Sequence, residues 1–404
     1  MLSKTHVTPM TVIGIVLFIS SLIIADSSFA QKPTENTSAG KKINLKLVAE
    51  YKKNQLLDIS DDGRWLLTYQ TTAPIHRYTI SDNGVQAHQS PPFDDRLRVL
   101  ERESGREIGS VPVDFFTYNR LFIPGTKEIL YTERQSKDGA RSWQYKLWLP
   151  NSGQNLTCLE TSDGPDNIVF LDRQRAIGSI WMEGSGDVLV NLSFPGCVVK
   201  KMGPIDPANP QRRIRANGKI ALSPDKKTLA YDSRQVIIRD IASNEVINRL
   251  DPGSLFFTGK LAYTPDGKSL IVLACASKCL SSGEEGTFYL WFYDTANYKV
   301  TRQLEVPRLN AFVISPDGQL LAVSYKRETR SFSKMVEQGN IEIYELATGR
   351  KIAAASHPPV ERRRDNLWAA DIGYLSFTPD GQYLLSSAND TRIWEIEGRP
   401  KKSE

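Results

Sequence analysis

The sequence is poor in the residue types from which metal sites are most often built. Four histidines and four cysteines occur among 404 residues. His6 lies in an N-terminal apolar segment, and His76, His88 and His357 lie in polar or proline-rich stretches. No two of these histidines have the spacing of metal ligands, which argues against a histidine-based zinc site. The sequence therefore predicts no metal ligand and no cofactor.

Local signatures of catalysis are also missing. No serine lies in a nucleophile elbow, and no stretch has the alternating acids of a calcium loop. The segment Ser60–Trp65 resembles the Asp-box of sialidases, but it occurs once and its spacing differs. No catalytic residue is predicted, although a site assembled from distant segments would leave no local motif.

The charge balance excludes a dense basic surface. Lysine and arginine number 51, aspartate and glutamate 46, and the formal net charge is +5. This mild excess permits an anionic partner but lacks the basic footprint of a nucleic-acid-binding protein. We therefore expect no nucleic-acid partner.

The longest apolar run is confined to the N-terminus. Lys4 and His6 precede the apolar run Val12–Ala25, and Ser28 and Ala30 are small residues at the positions that a signal peptidase reads. This pattern predicts a signal peptide over 1–30, a flexible tether over 31–42, and a periplasmic or secreted protein. The alternative is an uncleaved N-terminal membrane anchor, although the run is shorter than the roughly 20 residues that a span needs. No later segment is apolar enough to cross a bilayer.

A strand–turn–strand motif recurs along the rest of the chain. Each copy places a Pro-Asp-Gly type turn between two short apolar strands, because proline presets one turn dihedral and glycine accepts a positive φ. The copies are Ile59–Gly63, Ile123–Gly125, Leu222–Lys226, Tyr263–Gly267, Ile314–Gly318 and Phe377–Gly381. A second hairpin motif follows several of them, at Val99–Arg106, Ile237–Asn244, Phe292–Asn297 and Ile343–Arg350.

These paired hairpins predict an all-β chain that forms a single β-propeller over 43–397. Each unit supplies four short strands and the units recur at intervals of roughly fifty residues, as propeller blades do. We expect about seven blades, with six or eight as alternatives. The first strands begin near Leu56, Leu121, Ile168, Ile220, Leu261, Phe312 and Tyr374. The third unit lacks the Pro-Asp-Gly turn.

The last unit lacks a fourth strand. After Thr391–Ile396 the chain continues only into a charged tail, 398–404. A spare strand, Leu45–Tyr51, precedes the first blade. Pairing this N-terminal strand with the last blade closes the ring and removes two exposed sheet edges.

The Ser-Pro-Asp-Gly turns and the Ile343–Arg350 type of hairpin resemble WD40-type repeats and related bacterial propeller repeats over residues 44–397. No Gly-His pair opens a blade, and Trp394-Glu395, Tyr293-Asp294 and Arg239-Asp240 stand where the family has Trp-Asp. The resemblance therefore does not carry over the hydrogen-bond network that those family residues build. It implies an interaction platform, while related propeller families include enzymes such as lactonases.

Two sets of residues are candidates for binding. The long connections all fall on one predicted face: Thr72–Asp95, Ser136–Arg141, Gly203–Arg215, Lys278–Gly286, Arg327–Gly339 and His357–Trp368. Their basic residues are Arg212, Arg213, Arg215, Arg327, Arg330, Arg362, Arg363 and Arg364. Polar residues near the starts of first strands, Asn119, Asn310 and Asp371, form the second set at the channel mouth. A solvated mixed-charge surface and ordinary strand-start residues are the respective alternatives.

We therefore expect an exported, non-enzymatic, monomeric propeller that binds a protein partner or a polar or anionic ligand through its long-loop face. The alternative is a lactonase- or hydrolase-type enzyme with a site at the channel mouth.

The cysteines suggest disulfides in an exported protein. Three residues separate Cys275 from Cys279, so a turn can bring the two sulfurs together at the base of a long loop. We predict a Cys275–Cys279 bridge. The pairing of Cys158 with Cys197 stays open, because their strands belong to neighbouring blades.

Overall fold

A computed structural model describes most of the chain from residue 43 to residue 399. The described ranges are 43–70, 78–81, 84–87, 95–113, 117–137, 140–161, 165–182, 186–194, 196, 198–210, 220–232, 235–251, 253, 255–276, 287–331, 334–361 and 370–399. Regular structure in these ranges consists of strands alone, and they include no helix that could cross a membrane. The predicted signal peptide and tether lie outside them.

The first strand of the chain, β1 (Asn44–Tyr51), belongs to the last blade, and the first three blades follow it in order. The first blade contains β2 (Asn54–Ile59), β3 (Trp65–Gln70) and, after a separate hairpin of β4 (Tyr78–Ser81) and β5 (Gly84–Ala87), β6 (Arg96–Glu101) and β7 (Glu107–Pro112). The second contains β8 (Thr117–Phe122), β9 (Ile129–Lys137), β10 (Ala140–Leu149) and β11 (Gln154–Thr161). The third contains β12 (Pro165–Phe170), β13 (Arg175–Met182), β14 (Gly186–Ser193) and β15 (Val198–Pro204).

The remaining blades repeat this order. The fourth contains β16 (Ile220–Leu222), β17 (Thr228–Asp232), β18 (Val236–Asp240) and β19 (Val246–Leu250). The fifth contains β20 (Leu255–Tyr263), β21 (Ser269–Ala276), β22 (Phe288–Asp294) and β23 (Val300–Val306). The sixth contains β24 (Leu309–Ile314), β25 (Leu320–Ser331), β26 (Lys334–Glu345) and β27 (Lys351–Ser356), with the short β28 (Val360–Glu361) added beside β26. The seventh contains β29 (Tyr374–Phe377), β30 (Tyr383–Ser387), β31 (Thr391–Glu397) and β1.

The seven antiparallel sheets form a seven-bladed propeller, so the predicted fold and blade number are confirmed and the alternatives of six or eight are wrong. The first strand of each blade contacts the first strand of the next, from β2 and β8 around to β29 and back to β2. These inner strands therefore surround the axis, and the fourth strands form the outer rim.

The N-terminal strand closes the ring, as predicted. β1 runs antiparallel to β31, with Asn44 opposite Glu397 and Tyr51 opposite Thr391. Glu50 forms an ion pair with Arg392 across this junction. Because the last blade takes its outer strand from the opposite end of the chain, the propeller has no break between its first and last blades.

The core is divided into one apolar cluster for each pair of neighbouring blades. The cluster between the seventh and first blades shows the pattern: Leu385 and Ile393 meet Leu56, Leu66 and Leu100, all buried. Six further clusters occupy the other interfaces. Each sheet can bury its two faces only by packing between two neighbouring blades. This explains why the short apolar strands of each blade are stable in a closed ring.

The repeated turn between the first and second strands is held by its own side chains. In the sixth blade the Ser315 hydroxyl donates to the Asp317 carboxylate at 2.6 Å and accepts the main-chain N–H of Leu320 at 2.8 Å. Gly318 follows with φ +69°, a conformation that glycine adopts without strain. Serine or threonine donates to aspartate in the same way in four other blades, at Ser60–Asp62, Ser223–Asp225, Thr264–Asp266 and Thr378–Asp380.

A buried hydrogen-bond network links the last blade to His357, which directly follows β27. Trp394 Nε1 donates to Ser386 Oγ at 2.8 Å, and the same hydroxyl lies 2.8 Å from His357 Nε2. This network is not predicted from the sequence, because His357 follows Ser356 rather than glycine and Glu395 rather than aspartate follows Trp394. Burial and the charge of Arg392 lower the pKa of His357 to about 4, so the ring is neutral at pH 7.

Candidate functional site

The connections between strands lie on two opposite faces of the disc. We call the face with the first-to-second and third-to-fourth strand turns the turn face, and the other the loop face. The longer segments outside the described residues, 71–77, 88–94, 211–219, 277–286 and 362–369, all belong to loop-face connections. The two faces therefore differ in how much chain they can present to a partner.

Polar groups on the turn face bind one another. The Asp58 and Asp61 carboxylates accept the main-chain N–H groups of Phe122 and Gly125 in the next blade, at 2.8 Å and 2.9 Å. Arg399 donates to Asp317 and to the carbonyl of Gly381. These bonds join neighbouring blades and leave short, closed turns.

A shallow groove on the turn face lies between the fifth and sixth blades. The arginine that lines it, Arg302, already donates its hydrogen bonds to the protein itself. Arg302 donates to the carbonyls of Leu346 and Ala347 at 2.6 Å and 2.5 Å. Its guanidinium also stacks over Phe292, 3.9 Å from the ring centre. Burial lowers the pKa of Arg302. These contacts indicate a structural role in joining the two blades.

On the loop face, the described second and third strands of the sixth blade pair over a longer stretch than those of the fifth and seventh blades. The predicted loop Arg327–Gly339 is in fact mostly β-hairpin, because β25 and β26 stay paired from Lys326 opposite Gly339 to Ser331 opposite Lys334. We call residues 326–331 and 334–339 the blade-6 extension. Most of its residues are polar, and the apolar Met335 and Val336 are adjacent, so the sequence lacks the alternation that indicates a strand.

The blade-6 extension is anchored where it leaves the blade. A Cβ on Gly339 would lie 2.5 Å from the main-chain oxygen of Ala370, so only glycine allows this close approach. β28 pairs with the outer side of β26, with Val360 opposite Glu337 and Glu361 opposite Val336. These contacts fix the direction of the hairpin.

Some cations of this region are neutralised by carboxylates. Lys326 Nζ lies 3.2 Å from Glu337, 3.4 Å from Asp371 and 3.6 Å from Glu328. The Glu337 side chain is only 2% exposed, so this ion pair is partly desolvated and holds the base of the extension. At the tip, Lys334 lies 3.4 Å from Glu361.

Arg327 and Arg330 differ from these lysines. Both are exposed, and neither has an ion pair or side-chain hydrogen bond within the part of the chain that the structure describes. They are three residues apart on one strand, so their side chains leave opposite faces of the hairpin. The predicted binding residues Arg327 and Arg330 thus lie where a partner can reach them.

The three channel-mouth candidates lie in different surroundings. Asn119 and Asn310 both lie at β-bulges in the first strands of their blades, and bulges redirect side chains. Asn119 has φ +48° and donates weakly to Thr132 at 3.5 Å. Asn310 Nδ2 and Asp371 Oδ1 are buried and have no hydrogen-bond partner among the described residues, although Asp371 has its ion pair with Lys326. Asn310 and Asp371 belong to neighbouring blades, whereas Asn119 lies elsewhere on the ring.

One polar cluster was missed by the sequence reasoning. Arg98 donates to Asn54 and to Gln70, both at 3.1 Å, and to Glu107 at 2.6 Å. It lies at the loop-face end of the first blade, and its contacts satisfy the amide oxygen of Asn54. The available signal was an arginine inside the otherwise apolar strand Leu97–Leu100.

Several predicted residues lie outside the described residues, so the structure says nothing of their positions. They are Arg212, Arg213, Arg215, Arg362, Arg363, Arg364 and Cys279. Cys275 is buried and disulfide-bonded, and Cys158 is disulfide-bonded as well. The Cys275–Cys279 pairing itself stays a prediction. No group of three histidine, cysteine, aspartate or glutamate side chains in the described ranges is arranged to hold a metal ion.

Comparisons with known proteins identify the fold but no family. No protein-family model and no curated protein matches the chain. Among solved structures, a chain of the mitotic checkpoint complex is 12% identical, with a TM-score of 0.46, over 87% of this chain and 94% of that one. A structure of oligogalacturonate lyase in complex with manganese is also 12% identical, with a TM-score of 0.50, over 88% of this chain and 96% of that one. At this identity the likeness concerns the propeller fold alone.

Proposed function

We propose that this chain is an exported, non-enzymatic binding propeller that recognises an anionic protein partner through its loop face, centred on the blade-6 extension. The observation that carries the proposal is the pair of exposed arginines on the extension, Arg327 and Arg330. Nearby Lys326 and Lys334 have carboxylate partners, whereas these two arginines have none among the described residues. Exposed positive charge on an ordered hairpin attracts and orients a partner of opposite charge.

Two further observations support this assignment. The groups at the channel mouth beside the extension include Asn310 Nδ2, a buried donor with no hydrogen-bond partner among the described residues, and such groups need an explanation in a native structure. The disulfide bonds of Cys158 and Cys275 suit an oxidising compartment, in keeping with the predicted signal peptide. The alternative enzyme function has no specific observation in its favour among the described residues.

The proposal is tested with fluorescein-labelled decaglutamate, whose binding is followed by fluorescence anisotropy at about 20 mM salt, where screening is weak. The variant Arg327→Glu/Arg330→Glu reverses both charges. An exposed ion pair contributes roughly 0.5 kcal/mol, and reversing one charge removes this attraction and adds a repulsion of similar size. Reversing both charges therefore costs about 2 kcal/mol, or about thirtyfold in Kd.

The matched control is Lys268→Glu/Lys299→Glu, which makes the same change in net charge on the turn face of the fifth blade, where both lysines are exposed. We expect its Kd to stay within about twofold of the wild type. Equal losses in the two double variants would show that only net charge matters. That result, or no binding by the wild type, would overturn the proposed site.

A further inference from the structure

We infer that the partner binds as a β-strand, an extended acidic segment that pairs antiparallel with the inner edge of β25 in the blade-6 extension. This inference rests on the proposed function, because it names how the same surface binds. It starts from an asymmetry in the hairpin. The ladder between β24 and β25 ends at Leu309 opposite Tyr325, whereas β25 continues to Ser331. Beyond Tyr325, no described strand pairs with β25 on that side.

The two edges of the blade-6 extension differ in whether a described strand pairs with them. On the outer edge, β28 pairs with β26. The inner edge is where β24 would lie if it continued, and because β24 is an axial strand this edge faces the channel mouth. A strand edge of this kind offers main-chain N–H and C=O groups to an incoming extended chain. The six residues from Lys326 to Ser331 give it a length of about 20 Å.

The positive charges of Arg327 and Arg330 favour an acidic strand as the partner of this edge. Residues directly opposite one another in an antiparallel pair have neighbouring side chains on the same face, and like charges there repel. A second copy of the chain pairing through the same edge would bring arginines together, which disfavours self-association. Acidic residues opposite Arg327 and Arg330 instead form two cross-strand ion pairs.

The spacing of the two arginines predicts a sequence pattern in the partner. Arg327 and Arg330 are three residues apart, so acidic residues that oppose both must also be three apart. The intervening positions lie opposite Glu328 and Thr329, where threonine fits without charge repulsion. The partner segment therefore reads acid-x-x-acid within an extended, β-branched stretch. An acid-x-acid segment can place only one acid opposite an arginine at a time.

The experiment compares labelled peptides of identical composition. Thr-Val-Glu-Thr-Thr-Glu-Val-Thr has the predicted spacing, and Thr-Val-Thr-Glu-Thr-Glu-Val-Thr has the acids two apart. We expect the first to bind the wild type at least about fivefold more tightly, because only it makes both ion pairs. This preference should vanish in Arg327→Glu/Arg330→Glu and persist in the control Lys268→Glu/Lys299→Glu.

Main-chain pairing is tested separately by N-methylating alternate residues of the first peptide, in two versions. Methylating the amides that face β25 removes their hydrogen bonds and should weaken binding by about tenfold or more. Methylating the other set should change Kd by less than about threefold, because those amides face solvent.

The outcomes separate this inference from the proposed function. If the double arginine variant weakens decaglutamate binding but both methylated peptides and both spacings bind alike, the site stands and strand addition is wrong. The inference also falls if decaglutamate binds and the spaced peptide does not. If no acidic probe binds the wild type, the proposed function itself fails.

Discussion

Ring closure by β1 makes a quantitative prediction about stability. Consider a chain that begins at Lys53 and so lacks β1. It loses Leu45, which packs with Trp394 and Ile396 between the sixth and seventh blades. It also loses Glu50, the ion-pair partner of Arg392, whose side chain is 10% exposed.

The size of the effect follows from these two losses. Removing a buried leucine side chain costs about 3 kcal/mol. Leaving a largely buried arginine without its carboxylate costs about 2 kcal/mol, because Glu50 is partly exposed and the pair is screened by solvent. The truncation should therefore destabilise the protein by on the order of 5 kcal/mol, a large share of the usual 5–15 kcal/mol. For a propeller of this size, whose unfolding entropy is correspondingly large, the Tm falls by roughly 5–10 °C.

Differential scanning calorimetry measures this effect, with two matched variants and one synthetic peptide. Glu50→Gln should lower the Tm by a smaller amount than the truncation, and a synthetic 43–52 peptide should restore part of the Tm of the truncated chain. Lys46→Gln is the control on the same strand, because the ion pair from Lys46 to Glu397 is 4.0 Å long and solvent-exposed. If the truncated chain had the same Tm as the full-length protein, closure of the ring by β1 would be refuted.

Four further predictions concern single sites. Because burial and a nearby arginine lower the pKa of His357 to about 4, about 3 kcal/mol of stability should be lost as the pH falls from 6.5 to 4; urea unfolding across this range should show the loss, and His357→Asn should remove most of it. Ser315→Ala leaves a buried turn N–H unpaired and should cost about 2 kcal/mol in urea unfolding, whereas Ser315→Thr should be neutral because threonine has this place in two other blades. Gly339→Ala should lower the Tm through overpacking of about 1–3 kcal/mol, and an unchanged Tm would contradict the close approach. Peptide mapping of the non-reduced protein should find Cys275 linked to Cys279, and alkylatable thiols at both would contradict that bridge.

The blade architecture could be predicted because each blade is built from local signals. The turn at Ser315–Gly318 and its equivalents fix hairpins from a few neighbouring residues, and the missing fourth strand after Ile396 revealed the need for β1. The pairing of β1 with the last blade was then the most economical way to close the ring, and the structure shows it as the pairing of β1 with β31.

The candidate site was harder to predict, because its geometry depends on contacts between blades. The sequence indicated that Arg327 and Arg330 are exposed cations. It did not indicate that they lie on a β-hairpin, because the residues around them lack the alternation of apolar and polar side chains that is typical of a strand. The bulge at Asn310 is an irregularity in the pairing of β24 with β25, and the ion pair from Lys326 to Asp371 joins residues that are far apart in the chain. The network of His357 with Ser386 was not predicted because the sequence has neither a Gly-His pair at His357 nor an aspartate after Trp394.

The most direct test of strand addition at the blade-6 extension is amide hydrogen exchange of the intact protein with and without the acid-x-x-acid peptide. The account predicts that amides within Lys326–Ser331 exchange more slowly when the peptide is bound, because their free edge becomes hydrogen-bonded. Turn-face amides, such as those of Thr264–Ser269, should not change. Protection confined to the turn face, or the absence of protection in β25 at saturating peptide, would contradict the account.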